Sequence, residues 1–331
     1  MKNPSEISVV LEAFADTPLE EVLAWLSQEV PEVTAVEVGA GGYAPHPHCA
    51  PDELLASETN RKQWLSTLAR HGISLDALNV WGNPLHPDPD ISRAHDHALR
   101  RAIRLAGPLG TETIVAMSGC PAAASADASA SFGAGGWLPY LEGVHERQWE
   151  DQVAPYWSDV ADFAQRENPD VNLCIELHPG TTVYNVETFE KFAALGPNLY
   201  ANLDPSHFFW MGMDANKVVE RILPKIGHVH AKDTSFNEEA LALNGLLDHR
   251  WPASPADMPW NFSVPGRGHD EAWWHALIAQ FADSPARSIS IEHEDPFVDA
   301  KTGVKEAATL IHRALGATWP NASPQFAHLT P

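Results

Sequence analysis

IGHVHAKDT, residues 226–234, sets His228, His230 and Lys232 on alternate positions of an apolar run. In a β-strand alternate side chains point to one face. The three therefore share a side on which a packed core would carry Val or Leu, so that face wants nitrogen ligands, proton carriers or positive charge.

Outward from this stretch, apolar runs alternate with helical patterns along the chain. ISVVLEAF (7–14), VTAVEVGAGG (33–42), ISLDALNVWG (73–82), TETIVAMSG (111–119), VNLCIELHPG (171–180), NLYANLDPSH (198–207), the opening stretch and RSISIEHEDP (287–296) read as strands one to eight. Helical patterns separate them: 17–30, opened by a Thr17 cap with Glu20 three residues on, then 52–72, 90–110, 146–168, 186–196, 214–225, 270–284 and 303–316. Eight βα units are what a (β/α)8 TIM barrel of the α/β class requires. A doubly wound sheet is the alternative, but no G-x-G-x-x-G turn follows an early strand. The expected organisation is one barrel domain over residues 1–318, with extended loops after strands four (121–136) and seven (235–265), and a tail over 319–331.

The 331 residues are 44% apolar, enough for a buried core, and carry a formal charge of -23 from 44 acidic and 21 basic residues. Such a chain repels phosphate backbones and anionic membrane surfaces, so no nucleic-acid or membrane partner is expected. Cys49, Cys120 and Cys174 are far apart and form no C-x-x-C pair, which suits a reducing compartment. No signal-peptide h-region or membrane-length apolar run is present, and the expected localisation is cytoplasmic.

Chemistry in such barrels lies where the strands end. Strand five ends on Glu176, with His178 two residues on. Strand six supplies Asp204 and His207, strand seven His228, His230 and Lys232, and strand eight Glu292 and Glu294. One such carboxylate is ordinarily a helix cap or a solvated rim residue. Glu176, Asp204, His230 and Glu292, on four successive strands, make that reading improbable for the set. Carboxylates with one imidazole suit Mn²⁺, Mg²⁺ or Co²⁺ better than a structural zinc. His178 and His228 read as supporting or core partners. Trp81, Trp149, Trp157 and Trp210 fall near strand ends or loops, where rings stack on sugar or aryl faces, whereas Trp273 and Trp274 read as packing.

The motifs IELHPG (175–180), LDPSH (203–207), HVHAKD (228–233), VPGRGHDEAWW (264–274) and SIEHEDP (290–296) resemble the xylose-isomerase-like barrel superfamily of sugar isomerases and epimerases, which also includes apurinic endonucleases. The resemblance covers nearly the whole chain. It implies one divalent metal, usually manganese, held by Glu176, Asp204, His230 and Glu292, with His207 facing substrate. The ketose epimerases of the family carry an Arg shortly after the strand-seven His; AKDTSFN (231–237) has none, which implies either that Lys232 stands in for it or that the substrate differs. WGNPLHPDP (81–89), SGCPA (118–122) and GVHERQWEDQVAPYW (143–157) resemble a narrower branch, the catalytic α subunits of C-glycoside deglycosidases.

That branch implies a lyase acting on 3-oxo-C-glycosides: a base removes the C2 proton and the group on C1 leaves by elimination. The expected catalytic residues are His145 as base together with Glu176 and Glu292; His86, His207, Lys232, Trp81 and Trp210 are expected to bind substrate. The bland readings are a loop histidine bonded to backbone for His86, an exposed helix-start histidine for His145, and an ion pair to a ligand carboxylate for Lys232. A small β subunit in a hetero-oligomer is implied, or otherwise a homo-oligomer. Ketose 3-epimerisation or aldose–ketose isomerisation is the alternative activity. An apurinic-endonuclease-like role, disfavoured by the charge, and a non-enzymatic binding barrel are more remote.

Overall fold

Eight parallel strands close into a barrel in a computed structural model that describes residues 6–43, 46–133, 139–247 and 254–318. The strands are β1 (Glu6–Val10), β2 (Val33–Gly39), β3 (Ser74–Val80), β4 (Thr113–Met117), β5 (Asn172–Glu176), β6 (Leu199–Leu203) and β7 (Ile226–Ala231). An antiparallel hairpin of β8 (Asp233–Phe236) and β9 (Trp260–Ser263) follows, and β10 (Ser288–Ile291) closes the barrel against β1 and β7. The fold is the expected (β/α)8 barrel. The expected tail, 319–331, lies outside the described residues.

The helices packed around it are α1 (Leu19–Glu29), α2 (Pro51–Ala56), α3 (Glu58–Arg70), α4 (Pro89–Leu109), α5 (Val144–Gln148), α6 (Ala154–Glu167), α7 (Val186–Ala193), α8 (Ser206–Trp210), α9 (Ala215–Ile222), α10 (Glu238–Asn244), α11 (Glu271–Gln280) and α12 (Ala300–Thr318). Their apolar faces meet the outer faces of the strands, where Val9, Val36, Leu78, Ile103, Leu173, Phe192 and Ile311 are fully buried. Local sequence sets several boundaries. Asp88 caps α4 by accepting from the Asp90 N–H, Pro89 starts it, and Gly110 ends it at φ 81°. Asn185 and Thr188 form a reciprocal capping box on α7.

Several expectations change. The first strand stops at Val10, and Leu11–Phe14 turn as a 3-10 helix. The Thr17 cap is not made: α1 starts after Pro18 without a side-chain cap, and Glu20 pairs instead with Arg70 at 3.1 Å. The helix expected over 52–72 is two helices, because the Ser57 hydroxyl accepts from the Asn60 N–H and starts α3 afresh. The helix expected over 146–168 begins at Val144 and takes one π turn, Trp149–Val153, before α6. Trp157 is a core residue; its indole donates to the Ser118 carbonyl at 2.9 Å.

The expected seventh strand ends at Ala231, and the segment after it is largely the β8–β9 hairpin with α10. Buried Asp233 fastens this hairpin to the barrel. Its carboxylate accepts from the main-chain N–H groups of Thr234, Gly266, Gly268 and His269, and from the Trp274 indole at 3.0 Å. A Cβ at Gly268 would stand 2.1 Å from the Thr234 carbonyl oxygen, so only glycine fits there. The VPGRGHDEAWW motif is thus explained by one carboxylate. Asp233→Ala strands these donors in the interior and is expected to lower the unfolding free energy by about 3 kcal/mol or more, read as a fall in urea midpoint at unchanged slope.

Candidate metal and substrate site

β5, β6, β7 and β10 are consecutive neighbours in the barrel, so groups at their C-terminal ends converge on one part of the mouth. Glu176 is the last residue of β5, Asp204 follows the end of β6, His230 is next to last in β7, and Glu292 follows β10. The register supports this: Glu176 lies beside Asn202, and Ser290 beside His230. One donor atom from each of Glu176, Asp204, His230 and Glu292 lies within 4.8 Å of the others, and all four residues are buried.

The Lys232 ammonium is the counter-charge within the cluster. It stands 3.1 Å from Asp204 Oδ2, 2.8 Å from Glu292 Oε2 and 2.8 Å from the exposed Glu294, and 4.3 Å from the centre of the Phe262 ring. Burial alone would discharge this amine; Asp204, Glu292 and Glu294 more than reverse that and hold it charged. Glu176 Oε2, Asp204 Oδ2 and Glu292 Oε2 nevertheless have no partner in hydrogen-bond geometry. The latter two are at ion-pair distance from Lys232 but not aligned with it. Burial raises the Glu176 carboxyl above its usual range and lifts Glu292 to about 7, while Lys232 and His207 outweigh burial at Asp204 and hold it well below the ordinary carboxylate range.

His230 is clamped from both sides. Its Nε2 faces Glu37 at 3.1 Å, and its Nδ1 faces Glu292 at 3.1 Å and the Asn202 amide at 3.1 Å. Glu37 also accepts from the Asn79 amide at 2.6 Å and pairs with His228 at 2.7 Å. Burial would raise the Glu37 carboxyl, but His230 and His228 hold it well below its usual range. Nε2 is thus turned to Glu37 and Nδ1 to Glu292, and against burial these two carboxylates raise the imidazole well above its usual range. Oxygen donors with aligned partners missing, and one imidazole oriented by a carboxylate behind it, fit a divalent cation.

The family model described as xylose isomerase-like TIM barrel matches residues 33–314. The chain belongs to the xylose isomerase-like TIM barrel family. An uncharacterised relative, YfiH of Bacillus subtilis (strain 168), is 31% identical over 314 residues, 94% of this chain and 99% of its own. Among solved structures, the probable 3-DHS dehydratase AsbF of Bacillus anthracis superposes with a TM-score of 0.65 at 14% identity, covering 92% of this chain and 98% of that one. IOLI, solved with a bound zinc atom, gives 0.62 at 16% identity, covering 95% and 99%. At these identities the structural likenesses show the fold alone.

In this member of the xylose isomerase-like family, several other expected residues adjoin the cluster. His207 Nε2 lies 2.7 Å from Glu176 Oε1, and its ring is tilted against that of His178 with centres 4.1 Å apart. Burial pulls both imidazoles down to about 4, so they are neutral at pH 7. Trp81 stands edge-on to His230 with ring centres 6.0 Å apart. Trp210 lies parallel to Trp260 at 4.7 Å. His86 accepts from the Asp88 N–H at 3.0 Å, which ties it to its own loop. His145 is half-buried against Trp149 and Tyr184, at 6.3 and 6.4 Å between ring centres, and no hydrogen bond or ion pair among the described residues joins it to the four. Trp274 is buried and Trp273 packs on Phe209, as packing requires.

Glu37, Asn79 and Asn202 were not anticipated from the sequence. Their signal was present: a charged or amide residue inside each of the apolar strands VTAVEVG, SLDALNV and LYANL. No helix among the described residues is long and apolar enough to cross a membrane. Glu37→Gln removes the charge that orients His230 and is expected to weaken divalent-cation binding by about 10–100-fold in titration calorimetry. The wild-type affinity should also fall as pH drops from 8 to 6, because Glu292 takes up its proton near 7 and a protonated carboxyl cannot serve as ligand.

Proposed function

We propose that this chain is a divalent-metal-dependent enzyme that removes a proton beside a sugar carbonyl, and that it acts as a lyase splitting 3-oxo-C-glycosides. Mn²⁺ is the proposed metal, with Mg²⁺ or Co²⁺ as alternatives, held by Glu176, Asp204, His230 and Glu292. The observation that favours a glycoside over a free sugar is a cavity of about 270 Å³ beside the cluster. His178 and His207 form its polar end, and Trp210, Leu246, Leu247, Trp260 and Phe262 wall the rest. A free ketohexose presents hydroxyls on every side, whereas a planar aromatic aglycone matches such a wall. The larger cleft, about 360 Å³ between Pro265 and α12, lies on the outside of the barrel. There Arg267 pairs with Glu306 and Arg313 with Glu271.

A bound divalent ion would polarise the carbonyl and a neighbouring hydroxyl, stabilising negative charge as the proton leaves. Neutral His207 and charged Lys232 stand ready to hold sugar oxygens. The proposed base is His145, which burial keeps below its ordinary value and therefore unprotonated at neutral pH. It takes the C2 proton; that C–H pair becomes the C1–C2 double bond. The bond from C1 to the aglycone carbon breaks with its electrons, and that carbon takes up a proton. A small β subunit is proposed as partner, with a homo-oligomer as the alternative, in the cytoplasm.

Epimerisation of a free ketose is the second reading. It is favoured by Glu176 and Glu292, whose carboxylates meet in one cluster and would serve as acid and base on two faces of a carbon. The two separate in D₂O. Mn²⁺-loaded protein incubated with a 3-oxo-C-glucoside is expected to release the free aromatic aglycone, followed by chromatography. Deuterium uptake or new epimers from free ketohexoses, with the glycoside untouched, would replace the lyase by an epimerase. His145→Ala is expected to slow aglycone release by about 10²–10⁴-fold without changing Mn²⁺ affinity.

A further inference from the structure

Glu12 sits in the first turn after β1, on the strand that closes the barrel between β2 and β10. Val10 pairs with Glu37 and Val9 with Ile291, so Glu12 stands just above the level of the clamp on His230. The residue as a whole is partly exposed, yet both carboxylate oxygens are sealed from solvent and neither receives a hydrogen bond from another described residue. Burial first and then the field of Glu37 push this carboxyl up to about 8 against the pull of its own main-chain N–H; Glu292 adds to the rise and His230 opposes it. A carboxyl group in this place can accept a hydrogen bond and, when protonated, donate one. The Trp81 indole N–H, beside His230, is likewise buried without an acceptor.

A structural carboxyl would be satisfied by the protein; this one faces other carboxylates and is left unpaired at the mouth. We propose that Glu12 is a substrate-binding residue whose carboxyl group hydrogen-bonds a hydroxyl or carbonyl oxygen of the sugar held at Glu176, Asp204, His230 and Glu292. This rests on the sugar-enzyme reading above and assigns a role to the first strand.

The test compares wild type, Glu12→Leu and Glu12→Gln for melting temperature without metal, Mn²⁺ affinity, and calorimetric binding of xylitol to the Mn²⁺-loaded protein. Glu12→Leu, which removes an unpaired buried carboxyl, is expected to melt about 2 °C higher. It should bind Mn²⁺ within about threefold of wild type and xylitol about tenfold more weakly. Glu12→Gln keeps the shape and hydrogen-bonding atoms and should retain most of the xylitol affinity. A lower melting temperature in both variants would make the role structural, and a loss of about tenfold in Mn²⁺ affinity would make Glu12 a metal ligand; either overturns the proposal. Unchanged xylitol binding by Glu12→Leu overturns it alone. If the wild type binds no xylitol, the comparison is read as KM for the 3-oxo-C-glucoside, where an unchanged value in Glu12→Leu overturns the proposal; a wild type that neither binds xylitol nor turns over the glycoside or a ketohexose overturns the sugar reading and this proposal with it.

Discussion

Burying Glu176, Asp204 and Glu292 within 4.8 Å of one another is the constraint around which the mouth of this barrel is organised. Like charges in a dry site repel and are expensive to desolvate. The chain answers with Lys232 as a tethered counter-ion and with His230 held between Glu37 and Glu292. The arrangement is still short of aligned partners for its oxygens. A divalent cation would complete it, and the xylose isomerase-like fold places the groups where one can be held.

The charge pattern continues below the mouth. His230 meets Glu37, Glu37 meets His228, and His228 Nδ1 lies 4.0 Å from Asp76, which accepts from the Ser288 hydroxyl. Polar groups thus run down the inside of the barrel where branched aliphatic residues commonly pack. Each fixes the next, so the orientation of His230 is set by strands on the other side of the barrel. The hairpin after β7 supplies the apolar counterpart: Phe262 on β9 stands over Lys232 and His207, Trp260 stacks on Trp210, and Asp233 ties the loop behind them to the barrel.

Much of this was legible in the chain. Alternation in IGHVHAKDT announced that His228, His230 and Lys232 share a face, and all three are buried. The recurrence of acidic residues at successive strand ends announced Glu176, Asp204 and Glu292, because strand order in a (β/α)8 barrel follows chain order. Boundaries were harder to read, since Ser57 and Pro18 act through a single local hydrogen bond or its absence, against a continuous helical pattern.

By itself, then, the sequence determined the barrel and the acidic and basic side chains at the ends of four successive strands, because periodicity and strand order are local properties. Only the tertiary structure decided which groups answer one another. Glu37 and His230 are 193 residues apart, and Glu12 acquires its meaning only from Glu37 and Glu292 on the two flanking strands. Partnership, burial and proton affinity depend on what lies across the barrel, and no pattern along one strand carries that information.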